Sequence, residues 1–117
     1  MNIELAREFA DHWIESWNSH DLDKILSHYT DDFEMSSPVI IKTMGEPSGK
    51  LKGKDKVRAY WSKALNKYPQ LNFEKQHVLV GANSVTIIYN GVSGLSAEVF
   101  HFNPSGKVNA AYAHYNL

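Results

Sequence analysis

No cysteine occurs among the 117 residues. Disulfides, thiolate chemistry and cysteine-ligated zinc are therefore excluded. Charge of one sign is also lacking: twelve basic and thirteen acidic residues leave a formal net charge of −1. No global field draws nucleic acid or anionic lipid to such a chain. No stretch approaches the roughly 20 apolar residues of a membrane span. The opening Met-Asn-Ile-Glu-Leu-Ala-Arg-Glu lacks the basic segment and apolar run of a signal peptide. Cytoplasm is the expected compartment, with neither nucleic acid nor membrane as partner. The spacings His-x-x-x-His and His-Glu-x-x-His do not occur, and His12, His20, His28, His77 and His101 show no ligand pattern. Neither a metal nor another cofactor is expected. Gly45-Glu46-Pro47-Ser48-Gly49-Lys50-Leu51 fails as a phosphate loop. It is one residue short between the glycines, and Leu51 stands where Ser or Thr is required. Lys50, Lys52, Lys54, Lys56 and Arg58 read as a solvated loop and helix start. There is no repeat, linker or break in composition, so residues 1–117 read as one domain.

What is present is a hydrophobic fraction of 43%, enough for one packed core. Three segments read as helices. From Ile3 to Asn18, Ala6, Phe9, Ala10, Trp13, Ile14 and Trp17 fall on one face of a 3.6-residue repeat. Asn2 caps its first turn. Asp21 caps a short second helix carrying Leu22, Ile25, Leu26 and Tyr29. The third follows Gly53, presents Val57, Tyr60, Trp61, Ala64, Leu65 and Tyr68, and stops at Pro69. Phe33–Ser37 reads as a strand that Val39–Ile41 extends or restarts, and Met44–Lys52 reads as a loop. Strands follow over Leu71–Val80, Ser84–Asn90, Leu95–Phe102 and Val108–Tyr115. Helices first and a meander of strands afterwards is α+β order.

The last hairpin has a readable register. Asn103-Pro104-Ser105-Gly106 is a turn with Gly106 suited to a left-handed bulge. A three-residue loop pairs Phe102 with Val108, Phe100 with Ala110, Glu98 with Tyr112 and Ser96 with His114. Paired residues share a face, and Phe100, Phe102 and Val108 mark it as the core face. Glu98 and His114 then point inward as diagonal neighbours. On the strand from Leu71, alternation groups Leu71, Phe73 and Leu79 on one face and Val78 and Val80 on the other. Both faces keep apolar surface, and only one can meet the helices. A homodimer through the outer face is therefore expected.

His20-Asp21-Leu22-Asp23, Tyr29-Thr30-Asp31-Asp32-Phe33 and Ser37-Pro38 resemble the start of NTF2-like domains. Gly53-Lys54-Asp55-Lys56-Val57-Arg58-Ala59-Tyr60-Trp61 is similar to their third helix. Ala97-Glu98-Val99-Phe100-His101-Phe102-Asn103-Pro104-Ser105-Gly106-Lys107-Val108 resembles their final hairpin. The resemblance spans nearly the whole chain and includes the SnoaL-like domains. It implies an α+β, cone-shaped barrel in which three helices from the N-terminal half pack in a strongly bent, mostly antiparallel sheet around a small-molecule pocket. It leaves function open, because the superfamily holds isomerases, dehydratases, polyketide cyclases, transport factors and assembly domains. The related ketosteroid isomerase keeps a carboxylic acid neutral in an apolar site. At the position resembling that acid stands Glu98. At those resembling its base and its oxyanion tyrosine stand Ser37 and Trp13, so the isomerase activity does not carry over.

Glu98 and His114 are the candidate catalytic residues. A carboxyl group on an apolar face is costly unless paired or protonated, and its pKa rises. The structural alternative for Glu98 is a hydrogen bond to Tyr112 or a strand edge. For His114 it is a satisfied core imidazole. Trp13, Trp17, Tyr29, Phe33, Met35, Ser37, Trp61, Tyr89, Phe100 and Tyr112 are the candidate ligand-binding residues, since aromatics line apolar pockets and also fill cores. The expected ligand is a small apolar or ring-containing compound. Three functions remain open: carbonyl-directed acid/base chemistry of isomerase, cyclase or dehydratase type, a non-catalytic binding protein, and a dimeric assembly module.

Overall fold

The computed structural model describes residues 1–117. α1 (Ile3–Ser19) starts where the Asn2 side chain accepts from the Leu5 N–H, and ends at His20 in the left-handed region. Its apolar stripe buries Ala6, Ala10, Trp13 and Trp17. α2 (Leu22–Leu26) starts where Asp21 accepts from the Asp23 and Lys24 N–H groups. Tyr29, assigned by periodicity to that helix, instead opens β1 (Tyr29–Ser36). α3 (Pro38–Met44) lies where the β-branched Val39-Ile40-Ile41 suggested strand. The Ser37 hydroxyl accepts from Val39 N–H and Pro38 fills the first turn. These two start signals override a weak strand propensity. β2 (Lys50–Lys52) interrupts the expected loop. α4 (Lys54–Lys67) follows Gly53, as its pattern predicts.

The remaining elements are β3 (Glu74–Gly81), β4 (Ser84–Gly91), β5 (Gly94–Phe102) and β6 (Val108–Tyr115). The strands form one sheet in the order β2-β1-β6-β5-β4-β3. Every neighbouring pair is antiparallel except β1 and β6. The architecture is α+β: a mixed, curled sheet whose inner face takes the helices, with α3 as a fourth helix beyond the three expected. The buried apolar residues form one contiguous cluster running from Ala6 to Ala113. No helix is long and apolar enough to cross a membrane.

Two bulges change which side chains face inward. Phe102 pairs with Val108 as expected, but the next pair is His101 with Ala110, so Asn109 is an extra residue on β6. Beyond it Phe100 pairs with Ala111, Glu98 with Ala113, Ala97 with His114 and Ser96 with Tyr115. The expected inward placement of Tyr112 and His114 is therefore corrected. His114 is exposed on the outer face, Tyr112 is half-buried there, and Ala111, Ala113 and Tyr115 face in. The cause is volume. Ala111 sits between Phe100 of β5 and Met35 of β1, both fully enclosed, and a ring there would not fit. The second bulge is Gln76 on β3, between Lys75 opposite Tyr89 and His77 opposite Ile88. It puts Val78 and Val80 opposite the buried Ile87 and Val85, on the inner face, and turns Leu79 outward at 58% exposure. The predicted grouping of Leu79 with Phe73 is corrected for the same reason.

Candidate functional site

A cavity of about 110 Å³ lies between the helices and the inner face of the sheet. α1 contributes Trp13 and Trp17, α4 Tyr60 and Trp61, and β1 Met35. The sheet contributes Tyr89 from β4, Ser96 and Glu98 from β5 and Tyr115 from β6. Leu71 and Phe73 close another side, and Tyr68 and Val92 stand at the mouth. Thirteen of the sixteen lining residues are hydrophobic, and no Lys, Arg or His is among them. The volume suits a small ring or a short acyl unit rather than a drug-sized compound, whose pockets run to roughly 300 Å³ or more.

Glu98 is the one ionisable carboxyl group in this wall. It is 3% exposed, and burial pushes its pKa up to about 8. The Tyr89 hydroxyl donates to Glu98 Oε1 at 3.4 Å, which offsets burial only in part. That distance is long for an O–H···O bond. At neutral pH Glu98 is therefore a carboxylic acid with a proton to donate. The phenols around it are also held neutral: burial, then the charge Glu98 would carry, raise the pKa values of Tyr29 and Tyr89, and they do the same for Tyr115. Tyr60 is raised by burial as well, against the hydroxyl contact it makes with Ser37 at 3.3 Å. The polar part of the wall is thus a set of uncharged hydrogen-bonding groups.

The predicted site residues fall into three layers. Glu98, Trp13, Trp17, Met35, Trp61 and Tyr89 line the cavity. Tyr29, Phe33 and Phe100 stand behind them. Trp13 Nε1 donates to the Tyr29 hydroxyl at 3.0 Å, Phe33 packs on Tyr29 at 4.3 Å, and Phe100 meets Trp13 edge-on at 5.3 Å. Ser37 is buried beside Tyr60 and caps α3, so its hydroxyl holds the backbone in place. Tyr112 and His114 are on the outer face, where the Tyr112 ring stands edge-on to His101. The Glu98–His114 diagonal pair does not form.

Tyr60, Tyr115, Leu71 and Phe73 line the cavity although the sequence did not single them out as ligand-binding. Tyr60 shares the α4 face with Trp61 and was legible from the same periodicity. Tyr115 required the Asn109 bulge, which no glycine or proline marks. The basic cluster behaves as a solvated face: Arg58 pairs with Asp23 at 2.7 Å, Lys54 with Asp31 at 3.5 Å and Lys50 with Glu34 at 3.9 Å.

Residues 10–114 match the family model of the SnoaL-like domain. A SnoaL-like protein of unknown function from Burkholderia thailandensis is 52% identical, with 99% of this chain and 98% of that chain covered and a TM-score of 0.96. SalBIII, an epoxide hydrolase/cyclase-like enzyme of pyran ring formation in the polyether salinomycin, superimposes with a TM-score of 0.79 at 17% identity, over 97% of this chain and 92% of that one. An NTF2-like protein from Cytophaga hutchinsonii gives 0.72 at 12% identity, over 95% and 89%. The last two likenesses show the fold alone. Among curated proteins none matches.

Proposed function

The chain belongs to the SnoaL-like domain family, and from that premise and the cavity we infer that it binds a small, largely apolar carbonyl compound. The observation that carries this reading is Glu98, a neutral acid in a wall without a cation. Such a group donates to a carbonyl oxygen and strengthens that bond as negative charge develops on it. It would repel a carboxylate once ionised. With His114 outside, Glu98 is the single lining group that changes charge near neutral pH. Proton transfer at this site would fall to Glu98 alone, giving a proton to one atom of the ligand and taking one from another. Isomerisation and dehydration beside a carbonyl fit that pattern. Among its fold neighbours SalBIII acts in ring formation, and an intramolecular ring closure could use the same donor. The absence of a second base also favours a non-catalytic binding role, and turnover of a carbonyl compound separates the two.

The test is a tryptophan-fluorescence titration with acetophenone, since Trp13, Trp17 and Trp61 line the cavity. At pH 7 Glu98→Gln keeps shape and a donor, so affinity should change less than about threefold. Glu98→Ala should lose about tenfold, the size of one buried hydrogen bond. Equal loss in both variants would mean that the charged carboxylate matters, and the neutral-acid reading would fall.

A homodimer through the outer face of the sheet is proposed on separate grounds. Ile88, Val99 and Tyr112 are only half-buried there, and Leu79 and Leu95 at its margins are 58% and 60% exposed. A patch of this kind is an association surface. Sedimentation velocity at micromolar concentration should give twice the chain mass; a monomer would count against it.

A further inference from the structure

The cavity has a second space beside it. Tyr68, Leu71 and Val92 line the cavity and also line a second, open groove on the surface, together with Lys67, Gln70 and Asn72. The two spaces therefore adjoin, and Tyr68, at the end of α4, and Val92, in the turn joining β4 to β5, form the threshold they share. One side of this threshold is pinned. The Asn18 side chain accepts from Phe73 N–H at 2.6 Å and donates to Phe73 O at 3.0 Å, and His20 Nε2 meets Leu71 O at 2.7 Å. On the other side a Cβ on Gly91 would come within 2.9 Å of the Tyr89 ring and 3.3 Å of Phe73. Glycine there lets the turn lie close over the aromatic wall and fixes Val92 at the mouth.

The chemistry differs at the two ends. Glu98 stands four residues along β5 from Gly94, about 13 Å of strand at roughly 3.3 Å per residue. The inner end offers uncharged donors and no cation. The outer groove holds one charged residue, Lys67, and no acid. Lys67 takes part in none of the four ion pairs; its ammonium lies 5.5 Å from the Tyr68 ring centroid. A ring alone is shorter than the path from Glu98 to the mouth, so a ligand that fills that path is elongated.

We propose that the ligand is a two-part molecule, with a neutral carbonyl-bearing ring or short acyl head against Glu98 and an acidic tail that leaves between Tyr68 and Val92 to lie beside Lys67. This rests on the carbonyl-binding reading of the cavity and adds the tail, its charge and its exit. Gln70 and Asn72 supply further hydrogen bonds to the tail. Orientation follows from charge, since an acidic group turned inward would meet the buried Glu98 without a counter-ion.

Three probes test it by calorimetry at low salt: acetophenone, 6-oxo-6-phenylhexanoate and the methyl ester of that acid. The carboxylate should bind about threefold more tightly than its ester, the scale of one exposed ion pair. Lys67→Gln should abolish that difference and leave acetophenone unchanged, and added salt should act as the substitution does. Val92→Trp should weaken both tailed compounds about tenfold, and more than it weakens acetophenone. Equal binding of acid and ester to the wild type, or a preference that survives Lys67→Gln, overturns the tail assignment. So does a Val92→Trp variant that binds the tailed probes normally. If acetophenone still binds in a Glu98-dependent manner, those failures leave the carbonyl-binding reading intact. If no probe binds the wild type, or if Glu98→Ala binds acetophenone as the wild type does, that reading fails and the two-part ligand fails with it.

Discussion

The inner and outer faces of β4–β6 are built from one alternating run of residues, yet they are opposite in character. Inward stand Val85, Ile87, Tyr89, Ser96, Glu98, Phe100, Ala111 and Ala113, all buried. Outward stand Thr86, Ile88, Ala97, Val99, His101, Ala110, Tyr112 and His114, half-buried or exposed. The inner face holds a carboxyl group and keeps it neutral. The outer face holds imidazoles that water can reach. A side chain's chemistry here depends on the face that receives it, and on β6 the face is decided by one inserted residue. The comparison teaches that Asn109, remote from the cavity, determines which titratable groups the cavity contains.

Ala111→Tyr should have the largest effect. It puts on the inner face of β6 a ring of the kind the unbulged register would place there, between Phe100 and Met35. The ring would compete with both for space, with its hydroxyl unpaired. Overpacking together with unsatisfied burial belongs to the few mechanisms that cost more than about 4 kcal/mol. Circular-dichroism melts should show loss of the cooperative transition or a fall of well over 10 °C, as such a cost implies for a domain of this size. An Ala111→Tyr variant melting within a few degrees of the wild type would mean that the inner face accepts a ring as readily as the outer one.

Replacing Glu98 breaks the inner face without moving the backbone. The folded-state pKa of about 8 stands above the ordinary 4.5 of a solvated glutamic acid. Between those values the folded protein holds a proton that the unfolded chain releases. The associated stability is whole below about pH 4.5, falls as pH rises, and is gone above about pH 8. The full span corresponds to about 5 kcal/mol, counted at 1.36 kcal/mol per unit. Urea unfolding at pH 5, 7 and 9 should show the wild type losing stability that Glu98→Gln does not lose. Parallel pH profiles for the two proteins would show that Glu98 ionises freely in the fold.

These predictions mark what the sequence could disclose. Elements governed by short-range signals were readable: α1 from Asn2 and its aromatic stripe, α2 from Asp21, α4 from Gly53 to Pro69. The inward direction of Glu98 was readable because β5 has no bulge between Glu98 and Phe100. Bulges at Asn109 and Gln76 carry no local mark. They arise from the fit of β6 between β1 and β5 and of β3 against β4, which are contacts of long sequence separation. Alternation also gives a side chain's face and not its depth. Trp13 and Tyr29 share one hydrogen bond, yet Trp13 lines the cavity and Tyr29 stands behind it. α3 lies where two local signals conflict: Val39, Ile40 and Ile41 favour strand on propensity, while Ser37 and Pro38 start a helix.

The smallest expected effect falls on His114, and it sharpens the comparison most because Tyr115 is its neighbour. The two residues are adjacent in the chain and point to opposite faces. Tyr115 lines the cavity, mostly enclosed, beside Tyr89 and Ser37. His114 is exposed beside Ala97 on the outer face. His114→Ala removes a solvated ring and leaves no void, so stability should change by no more than about 0.5 kcal/mol, as at ordinary surface positions. Acetophenone affinity should stay as in the wild type. Tyr115→Ala opens the cavity wall and should cost about 2 kcal/mol, below the range for a fully enclosed ring because Tyr115 is partly exposed. The order of the two losses is the informative quantity. In the unbulged register the histidine would be the buried residue and the tyrosine the exposed one, and the order would reverse. Chemical denaturation of both variants at one pH reads it directly. A loss for His114→Ala equal to or greater than that for Tyr115→Ala would return His114 to the inner face, and with it the acid–base pair that the bulge removes.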